Sequence, residues 1–428
     1  GCTDSLALNF DPLANTDDGF CCGLLQQIGQ NLNGSLYERF GWSVSISDDG
    51  SRVAIGSDWG GTNHEGITRI FENINGTWSQ LGQDIYGEAS LDYSGVSVSI
   101  SSDGNIVAIG ANYNDGNSMN SQMGHVRIYS YNGSSWVKLG QDIDGEAADD
   151  GSGISVSLSS DGNTLAIGAL GNDGNGTGYG TGHVRIYNYN GSSWNQKGQD
   201  IDGEAASDYS GNSVSLSSDG NTVAIGANGN SANGSSSGHV RIYNYNGSSW
   251  NQIGQDIDGD GPYSGSGSSV SLSSDGNTVA IGAPDNQVNG IYAGTARIYS
   301  YNGSSWIQLG QDINGAVAND AVGLSVSISS DGNTVAIVGF DELVRVYKYN
   351  NLNWIEEGQG FDNHGEWSIS VSLNSDGNTV AIGTPNNSIG VRVYNVSLTS
   401  PPCSGCTDSL AVNYDPYSLI DDGTCDYL

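Results

Sequence analysis

Residues 213–227 read SVSLSSDGNTVAIGA, and residues 238–259 read GHVRIYNYNGSSWNQIGQDIDG. Val214 and Leu216 alternate with Ser213, Ser215 and Ser217; Val223 and Ile225 alternate with Ala224 and Gly226. A period of two is that of a β-strand. Asp219-Gly220 lies between the two runs, where a tight hairpin needs a residue at positive φ. Val240 and Ile242 alternate with Arg241 and Tyr243, and Asn246-Gly247 then turns the chain into a run from Trp250 to Gln255. Both faces of these strands read as buried, one bulky and one small. Packing of large against small between neighbouring sheets produces that pattern.

The unit repeats. The aspartate of its turn recurs as Asp49, Asp103, Asp161, Asp219, Asp275, Asp331 and Asp376, at spacings of 45 to 58 residues. Repetition at this period, with four strands per unit, predicts an all-β seven-bladed β-propeller of four-stranded blades. A linear solenoid is the alternative, and the ends of the array argue against it. The last unit stops after its third strand, near Val391–Val396, while Leu25–Gln30 (LQQIGQ) matches Trp78–Gln83 (WSQLGQ). The N-terminal strand is therefore expected to complete blade 7 and leave no open edge. The domain boundaries expected are 1–22 for an N-terminal module, 23–400 for the propeller and 401–428 for a second module.

The VAIGA and VAIGAP endings preceded by SSDG resemble the FG-GAP-type repeats of integrin α-chains and of many secreted microbial proteins, over roughly Leu24 to Ser397. That resemblance implies an extracellular propeller. In the integrin version an Asp-x-Asp-x-Asp-Gly loop binds calcium through several carboxylates. Here Ser217-Ser218-Asp219-Gly220-Asn221 keeps one aspartate, and a plain Asp-Gly turn is the simpler reading.

Composition narrows the function. There are 12 Lys+Arg against 47 Asp+Glu, a formal net charge of −35, with only 14% of residues charged. Such a chain repels phosphate backbones, which excludes nucleic acid as a partner. No apolar run reaches the ~18–20 residues needed for a helical membrane span. Sixty-five glycines and few helix-forming runs argue against helices.

All six cysteines avoid the repeats: Cys2, Cys21, Cys22, Cys403, Cys406 and Cys425. GCTDSLALNFDPLANTDDGFC at 1–21 and GCTDSLAVNYDPYSLIDDGTC at 405–425 agree at 14 of 21 positions, so they are two copies of one module. The module resembles short Asp-rich, cysteine-bracketed repeats of secreted surface proteins. A unit this short needs a staple, which pairs Cys2 with Cys21 and Cys406 with Cys425 and implies oxidising, extracellular surroundings. Zinc is the alternative for clustered cysteines, but Cys403-Ser-Gly-Cys406 has no matching pair at the other end. Cys22 and Cys403 are then expected to close the seam of blade 7. Asp4, Asn9, Asp11, Asp17 and Asp18 are candidate calcium ligands in the first module, against the reading that Asp11-Pro12 and Asp18-Gly19 are turns. No initiator Met or signal peptide opens the sequence, so a mature or trimmed form is expected.

Within the propeller, the loops leaving each blade repeat paired carboxylates, as in Glu146 with Asp150 and Glu204 with Asp208. These are candidate calcium ligands, or else caps of the loop backbone and partners of the arginines. Arg69, Arg127, Arg185, Arg241, Arg297, Arg345 and Arg392 recur at one third-strand position, and His125, His183 and His239 recur beside three of them. That regularity reads as scaffold, and blades 3 and 4 are too alike for either to hold a catalytic site, so no enzyme is expected. Trp42, Trp59 and Trp367 break the repeat and form a candidate protein- or glycan-binding patch. Asn33, Asn75, Asn132, Asn175, Asn190, Asn233, Asn246, Asn302, Asn386 and Asn395 begin N-x-Ser/Thr sequons and are candidate glycosylation sites. The function expected is an extracellular structural or adhesive protein, a subunit of a surface appendage or filament whose partners are its own copies or other extracellular proteins and glycans. The alternative is a propeller that binds glycan or protein through its top face.

Overall fold

The computed structural model describes residues 26–116, 121–174, 179–340, 343–357, 361–362, 369–385, 390–396, 404–405 and 420–421. They form seven antiparallel sheets plus one short parallel pair, Ser404–Gly405 with Ile420–Asp421. Among the described residues there is no helix, and so none long and apolar enough to cross a membrane.

Blade 4 shows the plan. Ser213–Leu216 pairs with Thr222–Ala227, which pairs with His239–Tyr245, and Trp250–Gln252 follows on the outside. The turn between the first two strands locks itself. Asp219 Oδ1 accepts from Ser217 Oγ at 2.7 Å and from the Asn221 N–H at 2.9 Å, while Gly220 takes φ 63°. The alternating serines of the first strand do not face water. Ser213 Oγ donates to the Gly267 carbonyl ahead of blade 5 at 2.8 Å, and Ser215 Oγ accepts the Leu272 N–H of that blade at 2.9 Å. Ser-Val-Ser-Leu is thus one strand with a half-buried hydroxyl face and a buried apolar face, both engaged between blades.

The fourth strand departs from the sequence reading. The run read from Trp250 to Gln255 is strand only over Trp250–Gln252, and Ile257–Asp258 beyond it forms a further segment that pairs with the start of the third strand, His239–Val240. Gly254, at φ 73°, lies in the break, and a Cβ there would sit 2.6 Å from Cδ1 of Trp306 in the next blade. The break lets that indole lie against the backbone, with its Nε1 donating to the Ile253 carbonyl at 2.9 Å.

The core is shared between neighbours. Ala166, Val184, Ile186 and Ile201 of blade 3 pack on Val214, Leu216, Val223, Ile225 and Trp250 of blade 4, and equivalent clusters fill the other junctions. Each buried aliphatic side chain contributes ~1.5–3 kcal/mol. Gly226 permits this approach, since a Cβ on it would lie 2.0 Å from the Gly267 carbonyl oxygen.

The ring closes as the sequence predicts. Gln26 and Gln27 pair with Asn395 and Tyr394, so the N-terminal strand is the outer strand of blade 7. Gln30, in the same segment, bonds through its side chain to the backbone of Trp78 in blade 1. Around the axis, the residue before each turn aspartate donates its N–H to its counterpart in the next blade. The circuit runs from Asp48 through Ser102, Ser160, Ser218, Ser274, Ser330 and Ser375 back to Asp48, at 2.8–3.2 Å. The expected modules at 1–22 and 401–428 fall outside the described residues, apart from the parallel pair.

Candidate binding face

Two sets of loops share one end of the ring, the top: those between second and third strands, and those leaving each blade. Isolated bridges lace them together, Gly182 to Ser210 and Gly238 to Ser266 among them. At the opposite end, on the axis, lies a cavity of about 140 Å³ lined by Asp48 and the serines of the backbone circuit. Those hydroxyls are already engaged, as Ser160 with Ser218 at 2.7 Å and Ser274 with Ser330 at 2.8 Å.

The paired loop carboxylates divide their work. Asp150 Oδ2 accepts the N–H groups of Glu146 and Ala147 at 3.0 and 2.9 Å, and Asp208 Oδ2 does the same for Glu204 and Ala205 at 3.2 and 2.9 Å. Asn172 and Asn230 add a side-chain bond to each, at 3.2 Å. Both aspartates therefore cap loop backbone, and they do not face the glutamate four residues earlier. Glu146 and Glu204 instead turn to the next blade: Glu146 pairs with Arg185, and Glu204 lies 3.4 Å from Arg241.

Trp42 and Trp59, distant in sequence, meet on one guanidinium. Arg39 Cζ lies 4.8 Å from the Trp42 ring centroid and 3.8 Å from that of Trp59, which is 37% exposed. His64 packs on Trp59 with ring centroids 5.0 Å apart. Arg39 Nη1 also reaches Asp58 Oδ2 at 3.1 Å. Asp58 is buried, its Oδ1 has no hydrogen-bond partner, and burial outweighs the Arg39 charge, pushing the carboxyl up to about 6. A cation held over two indoles is a rigid, amphipathic surface.

Tyrosines extend this surface round the top, and the sequence reading missed them. Tyr37, Tyr263 and Tyr292 are 71%, 57% and 49% exposed, and their backbones sit at φ 70°, 59° and 58°. Tyr93 and Tyr209 share the left-handed conformation at φ 53° and 54°, and Tyr93 stacks edge-on to Tyr113 at 5.0 Å. Left-handed backbone costs a non-glycine residue ~1–3 kcal/mol, and strain of this kind gathers at functional surfaces. Tyr93 and Tyr209 share the stretch Asp-Tyr-Ser-Gly at one repeat position, whereas Tyr37, Tyr263 and Tyr292 fall where the loops differ from blade to blade.

Of the other candidates, Asn33, Asn75, Asn132, Asn190, Asn233, Asn246 and Asn302 are exposed, while Asn395 is part of the blade 7 strand. In the Asn-Gly-Ser turns the amide oxygen is engaged, as Asn246 Oδ1 accepts from the Ser248 and Ser249 N–H groups at 2.9 and 3.0 Å. Asp4, Asn9, Asp11, Asp17, Asp18, Trp367, Asn175, Asn386 and all six cysteines lie outside the described residues.

No curated protein matches the chain significantly. Residues 201–243, which run from the end of blade 3 through most of blade 4, match the FG-GAP repeat family. FG-GAP repeats occur in extracellular and surface proteins, and their propellers typically serve adhesion rather than catalysis. With that match inside one of seven like blades closed into a ring, the chain is a seven-bladed β-propeller whose repeat is similar to the FG-GAP repeat.

Proposed function

We propose that this is an extracellular, non-enzymatic adhesive protein that engages protein or glycan through its top face. The observation that carries the reading is the set of exposed tyrosines held on left-handed backbone at that end, continuous in character with the Trp42–Arg39–Trp59 stack. Aromatic rings of this kind offer a large contact area at low entropic cost, to sugar faces or to apolar side chains. The test is binding of the purified chain to arrays of glycans and immobilised extracellular proteins. A specific ligand should lose at least tenfold in affinity with Tyr263→Ala plus Tyr292→Ala. Binding that ignores both this pair and Trp59→Ala would reject the top face.

A second reading, assembly into a filament or surface appendage, is supported by the seam. The propeller strand enters at Gln26 and leaves at Asn395, and these two residues are direct partners. The chain therefore enters and leaves the ring at one edge of blade 7, which is what supports contact between neighbouring copies through the two modules. Contact between unlike patches propagates as an open fibre unless the rotation closes. Light scattering of the chain with and without residues 1–21 and 405–428 decides this. A monomer in both cases, at high concentration and in calcium, rejects assembly.

A further inference from the structure

The third strand of each blade from 1 to 5 begins beside an arginine that sits among carboxylates. Arg69, Arg127, Arg185 and Arg297 each hold an aspartate of their own blade and an acidic residue of the preceding loop. Blade 4 is different. Arg241 turns its Nη2 to the Asp202 carbonyl at 2.8 Å, and among the described residues it makes no hydrogen bond to Asp256. Asp256 is held by Gln252 at 2.6 Å. The departure leaves Glu204, His239 and Asp256 facing one another, with donor atoms all within 4.8 Å.

His239 supplies the second observation. It is 1% exposed, and neither ring nitrogen has a hydrogen-bond partner. Asp258 Oδ1 is 4.0 Å from its Nδ1, nearer than either carboxylate of the trio, a contact that binds only a protonated ring. A neutral imidazole has one ring nitrogen with a lone pair to give. A buried imidazole with both nitrogens idle is a costly arrangement that a ligand relieves.

We infer that Glu204, His239 and Asp256 form a binding site for a divalent first-row transition ion of the zinc class. One imidazole and two carboxylates suit zinc, which takes them at ~2.0–2.2 Å, whereas calcium prefers oxygen alone. Water fills the fourth position. Glu204 is half exposed at the end of its loop, and its pairing with Arg241, at 3.4 Å, is looser than that of Glu146 with Arg185, so an ion can draw its carboxylate away from the guanidinium. Glu204, Asp256 and the neighbouring Asp258 outweigh the single charge of Arg241. The bound ion ties the loop leaving blade 3 to the strand edge of blade 4, a metal staple across a blade junction. Blade 3 is the internal control. Glu146, His183 and Asp200 gather in the same way, but Arg185 lies between the carboxylates, 2.8 Å from Asp200 and paired with Glu146, in the place a metal would need.

The test uses the full-length, oxidised chain, stripped with chelator and then titrated with zinc ion by equilibrium dialysis and calorimetry. His239→Gln and, separately, Asp256→Asn should each lose one equivalent of zinc, while His183→Gln retains it. The melting temperature of the wild type should rise with zinc, and that of either blade 4 variant should lose this part of the rise. Asp256→Asn leaves the buried ring in place, so it reports even if His239→Gln folds poorly. An unchanged stoichiometry in Asp256→Asn, equal loss in His183→Gln, or no zinc bound at micromolar concentration overturns the inference.

Discussion

The side-chain amide of Gln255 clasps the backbone of Trp306 in the next blade: its Nε2 donates to the Trp306 carbonyl at 2.8 Å, and its Oε1 accepts the Trp306 N–H at 3.1 Å. The same clasp joins Gln83 to Trp136, Gln141 to Trp194, Gln199 to Trp250 and Gln311 to Trp354. Gln30 to Trp78 carries it across the seam. Removing Gln255 strands two backbone groups, so Gln255→Ala should cost ~1–3 kcal/mol. Trp306→Ala also opens a cavity and should cost ~3–5 kcal/mol. Urea unfolding measures both. If Gln255→Ala is neutral, water substitutes for the amide and the clasp is incidental.

Two glycines separate close approach from backbone conformation. Gly247, at φ 97°, has open space around its Cβ position, so Gly247→Ala should cost only the ~1–2 kcal/mol of left-handed strain. Gly226→Ala drives a methyl into the Gly267 carbonyl and should reach or exceed the top of the ~1–3 kcal/mol overpacking range. Equal costs in thermal melts would mean the blades separate more easily than their shared core implies.

Asp58 should give stability an unusual pH slope. Its carboxyl is raised from 3.8 to about 6 in the folded chain, so between those values the folded state holds a proton that the unfolded state has released. Stability from this residue is therefore highest below pH 4, falls as pH rises to 6, and stays lowered above that. The difference between wild type and Asp58→Asn, followed by denaturant midpoints from pH 4 to 7, isolates the effect. A difference that is flat with pH would mean that the carboxylate is ionised throughout, held by Arg39.

The turn aspartates act in the opposite direction. At Asp219, burial raises the carboxyl, but bonds from Ser217 and Asn221 and the charge of Lys197 outweigh it and hold it below its ordinary value. Asp103, Asp161, Asp275 and Asp331 are lowered in the same turn. Their contribution is complete above the unfolded value of 3.8 and is lost as pH falls through the lower folded values. Acid unfolding should thus begin below about pH 4, and replacing Asp219 and Asp275 by Asn should flatten that limb. Unchanged acid sensitivity in the double variant would place the weakness elsewhere.

Tyr263→Gly should separate binding from stability. Glycine relieves left-handed strain at φ 59°, so the variant should be as stable as the wild type, or more stable by up to ~1 kcal/mol, while losing ligand. If instead it melts early, the ring is a packing element and its exposure misleads.

The regular parts of the ring were legible because each position says the same thing seven times. The Asp-Gly turns count the blades, and the likeness of LQQIGQ to WSQLGQ locates the closing strand. The break in the outer strand was not legible. Gly254 reads as one small residue in a run, and its purpose lies in Trp306, some fifty positions on. Asp150 looked like a ligand because a carboxylate in an acidic loop carries no mark of the N–H groups it will cap. His239 and His183 sit in the same Gly-His-Val-Arg stretch, and the turn of Arg241 and the idle ring nitrogens of His239 tell them apart.

A circle of bonds has no first member. The N–H circuit from Asp48 round to Ser375 and back treats the junction between last and first blades like any other, and the pairing of Gln26 with Asn395 makes the covalent ends neighbours. What these contacts specify is cyclic order, not linear position. A permutant cut in the Asn190-Gly191 turn, with Asn395 and Gln26 joined by a turn of the Asn-Gly-Ser-Ser kind, presents the same seven bonds to the axis from a new starting point.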